Sequence, residues 1–597
     1  MSIESAVQKY LPVSRQRYAV RLAHADRAHV IGVGIVTAVV AAIYSVYALV
    51  LYATYQDSSY DLVIFDQAIR SYSKFHLGTS IIKGLHNGFS PGFSVLGDHF
   101  SPLDAVLAPL YWIYDGPQTL LIAQPILFAL AIPWLWTFTR RAFGGSGWKA
   151  TAAAYLASVA YGLSWPIAAA VAFDYHEVAL APVLIAIALE RLQAGRLRPA
   201  LIAVALLLLV KEDMGLLVAG LGLALLVSVS PTVRRQRLAG IALIAAGLVY
   251  SLVATEILIP LFGGRANYYW AYSGWGQNIP QVIQHALENP RRFIRLMFVP
   301  DAKYQTIKWL FAVFCFLPLL SPLTLAALPL LVERMQADDK FHSWWGMLGQ
   351  YNAFIVVILV FAAVDGAARL DRWITRFWRY MEGGRVRPAV SAPGSVPADD
   401  MPPAVLAAAT EQATAAPAKQ PPAAAEPPGR GPGRGPEQAR QGLGSGVVAL
   451  ACCAAICAAT LYTVPRFALG AALHGSFYAQ TAQSRAAAAA DDAVPSGVVV
   501  AAANYLGPEL SRRDTVLMWD GDGFTPPFAA PWVVADVQRH EMTFGDVADQ
   551  RAEVRLLLSH GYKVVFSRDG YLVLHRPGPP HLYVTAKPMT FGPAAPR

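Results

Sequence analysis

From His29 to Tyr52 the chain runs without a single Asp, Glu, Lys or Arg. A helix of that length crosses ~30 Å of hydrocarbon, where each backbone N–H and C=O must find its partner within the protein. The same constraint recurs at Gln118–Phe138, Ala150–Ala172, Val178–Leu192, Leu238–Leu261, Ala353–Ala368 and Gly446–Val464. Only 15% of the residues are charged, where soluble domains carry about 25%, and the deficit lies in these runs. The chain therefore reads as a mostly α, polytopic membrane protein. With the shorter runs Ile307–Leu320, Leu323–Val332 and the two halves of Pro199–Val229, the expected number of transmembrane helices is about eleven.

Arg and Lys set the expected topology. Lys9, Arg15, Arg17, Arg21 and Arg27 precede the first run, which puts the N-terminus in the cytoplasm. That run keeps no small-residue cleavage site after it and is expected to stay as an anchor. Arg140–Arg141, Arg191, Arg234–Arg235 and Arg369 then fall on the same inner side. The formal charge of +9 is spent on this bias and on lipid headgroups, which argues against nucleic-acid binding. Cys315, Cys452, Cys453 and Cys457 all lie within expected spans, so neither a disulfide framework nor a cysteine metal cage is implied.

Five segments follow: a cytoplasmic N-terminal piece, 1–28; a polytopic membrane domain, 29–368; a Pro/Ala/Gly-rich cytoplasmic linker, 369–443; a last span, 444–464; and an extracytoplasmic α/β domain, 465–597. The linker lacks the apolar residues to bury a core and is expected to be disordered. In the last segment Val498–Ala502, Thr515–Trp519 and Trp532–Val537 read as strands. Val547–His560 reads as a helix, and Lys563–Arg576 as a hairpin turning at Asp569–Gly570.

Polar clusters fall where this topology places the outside. Gln56–Pro102 holds Asp57, Asp61, Asp66, Asp98 and His99; a later turn holds Asp174, His176 and Glu177; His342 lies in a further loop. Lys211-Glu212-Asp213 interrupts Pro199–Val229. One continuous helix would bury all three at a cost of roughly 2.5–3.5 kcal/mol each, so two half-helices meeting at a turn are expected. Arg and Lys near the inner ends set the topology without the acidic and His clusters, so the agreement of the four clusters is partly independent evidence for one site.

Each cluster has a plain and a chemical reading. Asp57, Asp61 and Asp66 are either loop and cap residues, or a general base or metal ligands at a membrane mouth. Asp98 caps, or orients His99, or binds a metal with it. Asp174 with Glu177 forms a capping-box-like pair, which leaves His176 unexplained. Lys211 is either salt-bridged between half-helices or placed to meet a lipid-linked phosphate. External Tyr268, Tyr269, Trp270, Tyr272 and Trp275 suit headgroups or sugar rings. No Gly-Lys-Ser phosphate loop, paired CxxC, HExxH or GxSxG occurs. Asp520-Gly521-Asp522-Gly523 lacks the later ligands of a calcium loop and reads as a turn.

Tyr60-Asp61-Leu62-Val63-Ile64-Phe65-Asp66-Gln67, Gly97-Asp98-His99-Phe100-Ser101-Pro102, Phe173-Asp174-Tyr175-His176-Glu177 and Lys211-Glu212-Asp213 occur in that order. Together they resemble a bacterial membrane-protein family catalogued as domain of unknown function 2079. The resemblance covers about Tyr44–Asp365, and Leu506–Arg513 resembles the family's tail. The Pro/Ala linker looks like an insertion of the kind common in high-GC actinobacterial proteins. That family is similar to the GT-C class of membrane glycosyltransferases, which implies a polyprenyl-phosphate sugar donor and a catalytic acid in the first external loop. By this resemblance Asp61 or Asp66 is the base. Gln67, Asp98, His99, Asp174, His176, Glu177, Lys211, Glu212, Asp213 and His342 are candidates for substrate binding. The implied partners are the bilayer and an envelope glycan or protein acceptor. The phosphate leaves as a stabilised anion, so no cofactor is firmly implied and a divalent cation is optional. A transporter or flippase of lipid-linked precursors, and a structural partner protein, are the competing expectations.

Overall fold

The structure is a computed structural model. It describes residues 27–145, 147–228, 234–266, 268–383, 446–520, 528–578 and 581–582. The chain divides into two units, Met1–Leu370 with Val448–Arg597, and Asp371–Val447. Within the second unit the described residues are the end of the helix Ala353–Gly383 and Gly446–Val447, where the next helix begins. The expected linker therefore begins later than residue 369, and most of it lies outside the described residues. So do Met1–Asp26 and Asp522–Gly523.

Helices dominate the first unit. Six among the described residues are long and apolar enough to cross a membrane: Arg27–Ala53, Gln118–Ala142, Trp148–Val171, Arg237–Leu261, Gln350–Trp378 and Val447–Arg466. The other expected crossings are shorter pieces. Ala181–Gln193 has 13 residues, Asp301–Ala312 has 12 and Leu328–Met335 has 8. At 1.5 Å per residue none of these spans ~30 Å alone, so the count of eleven full crossings is not supported. Prolines and polar turns divide the apolar runs more finely than hydropathy alone indicates.

The charged interruption behaves as its cost requires. Leu197–Leu208 and Met214–Ser228 are separate helices, and Leu209–Asp213 forms the turn between them. Met214–Ser228 packs backbone to backbone on Arg234–Val253. A Cβ at Gly215 would stand 2.3 Å from the Gly247 carbonyl oxygen, so glycine alone permits the approach.

The C-terminal segment folds around a five-stranded sheet. Its strands are β1 (Val499–Ala502), β2 (Thr515–Met518), β4 (Trp532–Asp536), β5 (Lys563–Arg568) and β6 (Tyr571–His575), in the order β2-β1-β4-β6-β5. A separate two-residue pairing joins β3 (Phe528–Ala529) to β7 (His581–Leu582). β1 runs parallel to both β2 and β4, with Ala501 opposite Leu517 and Val533. These central strands are covered on both faces, which is why they read as unbroken apolar runs. β5 and β6 form the expected hairpin. Asp569 and Gly570 both take positive φ, at 47° and 85°, as a type I′ turn demands.

Between the first span and the second lies the segment that positions the site. A π-helical turn, Ser59–Val63, leads into the helix Ile64–Ser73. After a short helix at Ile81–His86, a 3-10 helix covers Pro102–Trp112.

Candidate functional site

The π-turn forms because its free donors are taken by a residue far away in the chain. The Asn504 carbonyl accepts from Ser59 N at 2.7 Å and from Ser59 Oγ at 2.8 Å, and Asn504 Oδ1 accepts from Tyr60 N at 3.0 Å. Asn504 thus serves as a helix cap supplied from the carboxyl end of β1. In turn, Glu541 Oε2 accepts from the Asn504 backbone N–H at 2.7 Å. Gly507 follows closely: a Cβ there would stand 2.1 Å from Ser59 Oγ. Single-turn π-helices concentrate at functional sites, and this one carries Asp61.

Apolar packing adds to that polar clamp. Val63, Ile64, Ala68, Ile82 and Val95 share one buried cluster with the sheet residues Val516, Leu517 and Val533. Gln67 Nε2 donates to the Val516 carbonyl at 3.0 Å, and Gln67 Oε1 accepts from Ser80 Oγ at 2.8 Å. His86 Nδ1 lies 2.8 Å from Asp520 Oδ2. The first loop and the C-terminal domain therefore have a core in common.

The two candidate bases sit in different surroundings. Asp66 is fully buried. Arg70 pairs with it at 2.7 Å, Tyr111 donates to it at 2.8 Å, and the nearby Ser511 hydroxyl favours its charged form. Arg70 also pairs with Asp115. Burial pushes the Asp66 carboxyl up to about 6, against the opposing pull of Arg70 and the two hydroxyls. Asp61 has no such enclosure. Its side chain remains 24% exposed, and Oδ1 lies 3.5 Å from His176 Nε2.

Contacts join the four ordered motifs, Tyr60–Gln67, Gly97–Pro102, Phe173–Glu177 and Lys211–Asp213, into one chain. The first meets the third through Asp61 and His176, and again through Asp174 Oδ2, which accepts from Ser58 Oγ at 2.6 Å. Burial, and then the neighbouring Asp174 carboxylate, pushes the Asp57 carboxyl well above the usual range. Burial, and then the Asp61 charge, pushes Asp174 up to about 6. Cluster three meets cluster four where Lys211 Nζ pairs with Glu177 Oε1 at 2.6 Å. Cluster four meets the second where His99 Nδ1 lies 2.8 Å from Glu212 Oε1 and Phe100 N donates to Glu212 Oε2 at 3.0 Å. Asp98 is held by Lys83 at 2.9 Å and accepts from Tyr269 Oη at 2.7 Å. Although burial pushes the other way, the Lys83 and His99 charges hold Asp98 below the usual carboxylate range.

Two candidates lie differently. His342, the one expected cluster that does not join, is exposed, and its ring packs edge-on to Trp345 at 6.3 Å without a described contact to the four motifs. Asp213 has a buried Oδ1 without a hydrogen-bond partner, and faces the charges of Lys211, Glu212 and Glu333. Aromatic rings lie beside these polar contacts. His176 stacks on Phe173 at 5.4 Å, His99 on Tyr269 at 5.1 Å, and Tyr351 lies within electrostatic reach of both Lys211 and Asp61.

Sequence reasoning missed Asp104, Lys83, Arg70 and Asn504. Asp104 is buried in the Pro102–Trp112 helix, accepts from Tyr175 Oη at 3.1 Å, and neighbours Glu177. Its signal was a lone acid in an otherwise apolar run. Lys83 likewise interrupts an apolar piece and ends among the Tyr60, Tyr268 and Tyr269 rings. For Asn504 the signal was its place just past a parallel strand, the edge where open α/β sheets usually present function. Among the described residues, no three His, Cys, Asp or Glu side chains come together as a metal site.

These features define a helical, multi-pass membrane protein whose first loop is built into a small α/β domain. The family model described as predicted membrane protein DUF2079 matches residues 51–382, more than half the chain, and the protein belongs to that family. No curated protein sequence matches. Among solved structures the chain is similar to ArnT from Cupriavidus metallidurans bound to undecaprenyl phosphate. The TM-score is 0.44 at 14% identity, over 91% of this chain and 97% of that one. The apo form of the same protein gives 0.43 at 14% identity, over 89% and 97%.

Proposed function

We propose that this protein is a GT-C-type membrane glycosyltransferase that moves a sugar from a polyprenyl-phosphate donor to an extracytoplasmic acceptor, with Asp61 as general base. What supports the reading most is the contrast between the two acids: Asp66 is sealed by Arg70 and Tyr111, while Asp61 reaches open space beside His176. A base must touch the proton it takes, so access decides between them.

In this scheme Asp61 Oδ accepts the proton of the acceptor hydroxyl as that oxygen bonds to the sugar's anomeric carbon. The bond from that carbon to the phosphate oxygen breaks, and polyprenyl phosphate leaves with the electron pair. His176 and Lys211 stabilise the charge on the departing phosphate. One of the three Lys211 protons is engaged by Glu177, which fixes the ammonium without using all its donors. The rings of Phe173 and Tyr351 present apolar faces of the kind sugars stack on. The clusters and the C-terminal domain lie on the extracytoplasmic side, with the N-terminus in the cytoplasm.

The test is sugar transfer by the purified full-length protein in lipid vesicles, supplied with a panel of polyprenyl-phosphate sugars and envelope glycan acceptors. Asp61→Asn is expected to lower turnover by ~10²–10⁴-fold, the usual worth of a general base, with the wild-type Tm. Asp66→Asn, which leaves Arg70 without its buried partner, is expected to lower Tm instead. Full turnover by Asp61→Asn would remove it from the role of base. Absence of transfer by the wild type with every donor would overturn the enzyme assignment.

A further inference from the structure

At the other end of the spans from Asp61 lies a second polar group, in which two members, Arg140 and Trp136, keep unsatisfied donors. Arg140 is in the last turn of the helix Ile132–Ala142. It lies 22 residues along the span Gln118–Ala142 from the end nearest the C-terminal domain, roughly 33 Å at 1.5 Å per residue. Arg140 is only 8% exposed, and its guanidinium lies over the Trp136 ring at 4.7 Å. Its Nε and Nη1 atoms are buried with no hydrogen-bond partner, and the same holds for Trp136 Nε1. His29 and Tyr155 close the group: the His29 ring centre is 6.2 Å from that of Trp136, and His29 Nδ1 is 3.4 Å from Tyr155 Oη.

The neighbouring arginine shows what a structural pairing looks like. Arg141 meets Glu190 at 2.6 Å and Gln193 at 2.9 Å. Arg140 has no carboxylate partner among the described residues. Leaving a buried charge uncompensated is strongly unfavourable, and unsatisfied buried groups are rare in folded proteins. All three unsatisfied atoms are N–H donors. A single anion with several acceptor oxygens would satisfy all three and the guanidinium charge together. Guanidinium meets phosphate oxygens in matched pairs of hydrogen bonds. The depth of the group, at the end of three spans, is the level of lipid headgroups, where basic pockets between helices take anionic lipids.

We propose that Arg140, Trp136 and His29 form a phosphate-binding site on the membrane face opposite Asp61. Arg140 Nε and Nη1 and Trp136 Nε1 donate to the phosphate oxygens, and His29 lies beside the group. The same chemistry is offered by an anionic phospholipid headgroup and by free phosphate. The experiment separates the two sources.

The full-length protein is held in detergent and titrated separately with phosphatidylglycerol, phosphatidylcholine and inorganic phosphate. Native mass spectrometry reads lipid binding, and the Tm reads stabilisation. The expected result is saturable phosphatidylglycerol binding that exceeds phosphatidylcholine binding, weakens at least tenfold in Arg140→Gln and weakens several-fold in Trp136→Phe. Stabilisation by inorganic phosphate alone, lost in Arg140→Gln, also supports the site and assigns it to the soluble anion. Trp136→Phe keeps the ring and removes one donor, so the proposal stays testable if Arg140→Gln fails to fold. Equal phosphatidylglycerol binding by wild type and both variants, or no response to either phosphate source, would overturn it. None of these readouts depends on sugar transfer.

Discussion

At the scale of single residues, the structure turns on which charged groups are satisfied by their neighbours. Asp61 and Asp66 are five apart in sequence and were indistinguishable there. What separates them is Arg70, Tyr111 and Ser511, the last two brought from other elements. Long-range partners of that kind leave no local pattern. Glu541 belongs to the same class and gives a pH signature. Burial pushes its carboxyl up to about 7, against the Asn504 N–H that it accepts. Below about 4.5, its ordinary value, the carboxyl is protonated in the folded and the unfolded chain alike. Between there and about 7 the unfolded chain gives up the proton first. Stability therefore falls as pH rises through that window, by at most ~1.4 kcal/mol per pH unit for one proton, and the contribution is flat above it. Glu541→Gln keeps the acceptor oxygen and removes the titration. Its Tm should gain on the wild type as pH climbs from about 4.5 to about 7, and the gap should then stay constant. Parallel Tm curves through that range would show that Glu541 does not titrate as described.

At the scale of elements, the charged interruption at Lys211–Asp213 was legible because the alternative was too costly: a continuous helix would bury three charges in lipid. The paired half-helices follow from that cost. The π-turn was not legible. Ser58-Ser59-Tyr60 suggests a helix start, but the cap comes from Asn504, 445 residues after Ser59. Asn504→Ala removes the Tyr60 acceptor while leaving the backbone carbonyl for Ser59. A lost cap of this kind costs about 1–2 kcal/mol. Amide exchange across Ser59–Val63 should quicken by roughly 5–30-fold, the factor that energy implies. Exchange in the Leu209–Asp213 turn should stay at the wild-type rate. Exchange that is unchanged at Tyr60 would mean the asparagine side chain does not hold the turn.

At the scale of the whole molecule, the segment boundaries read from composition separate two pieces that fold as one. A domain of residues 465–597 behind a last span looks in sequence like an appended module, because its strands and hairpin are self-consistent. The buried cluster includes Val63, Ile64, Ile82 and Val95 from the first loop. Full burial of such side chains is worth ~1.5–3 kcal/mol each, so the four together are worth roughly 6–12 kcal/mol. That is comparable with the ~5–15 kcal/mol that holds a typical domain together. The loop bearing Asp61 and the sheet bearing Asn504 therefore depend on each other for stability, and the carboxyl edge of β1 is occupied by the chain's own loop. Deleting residues 465–597 should leave the spans inserted in the membrane but expose 56–102 to protease. Full-length protein should resist cleavage there under the same conditions. A truncated protein that keeps 56–102 protected would show that the loop folds without the domain, and Asn504 would then be a contact without a positioning role.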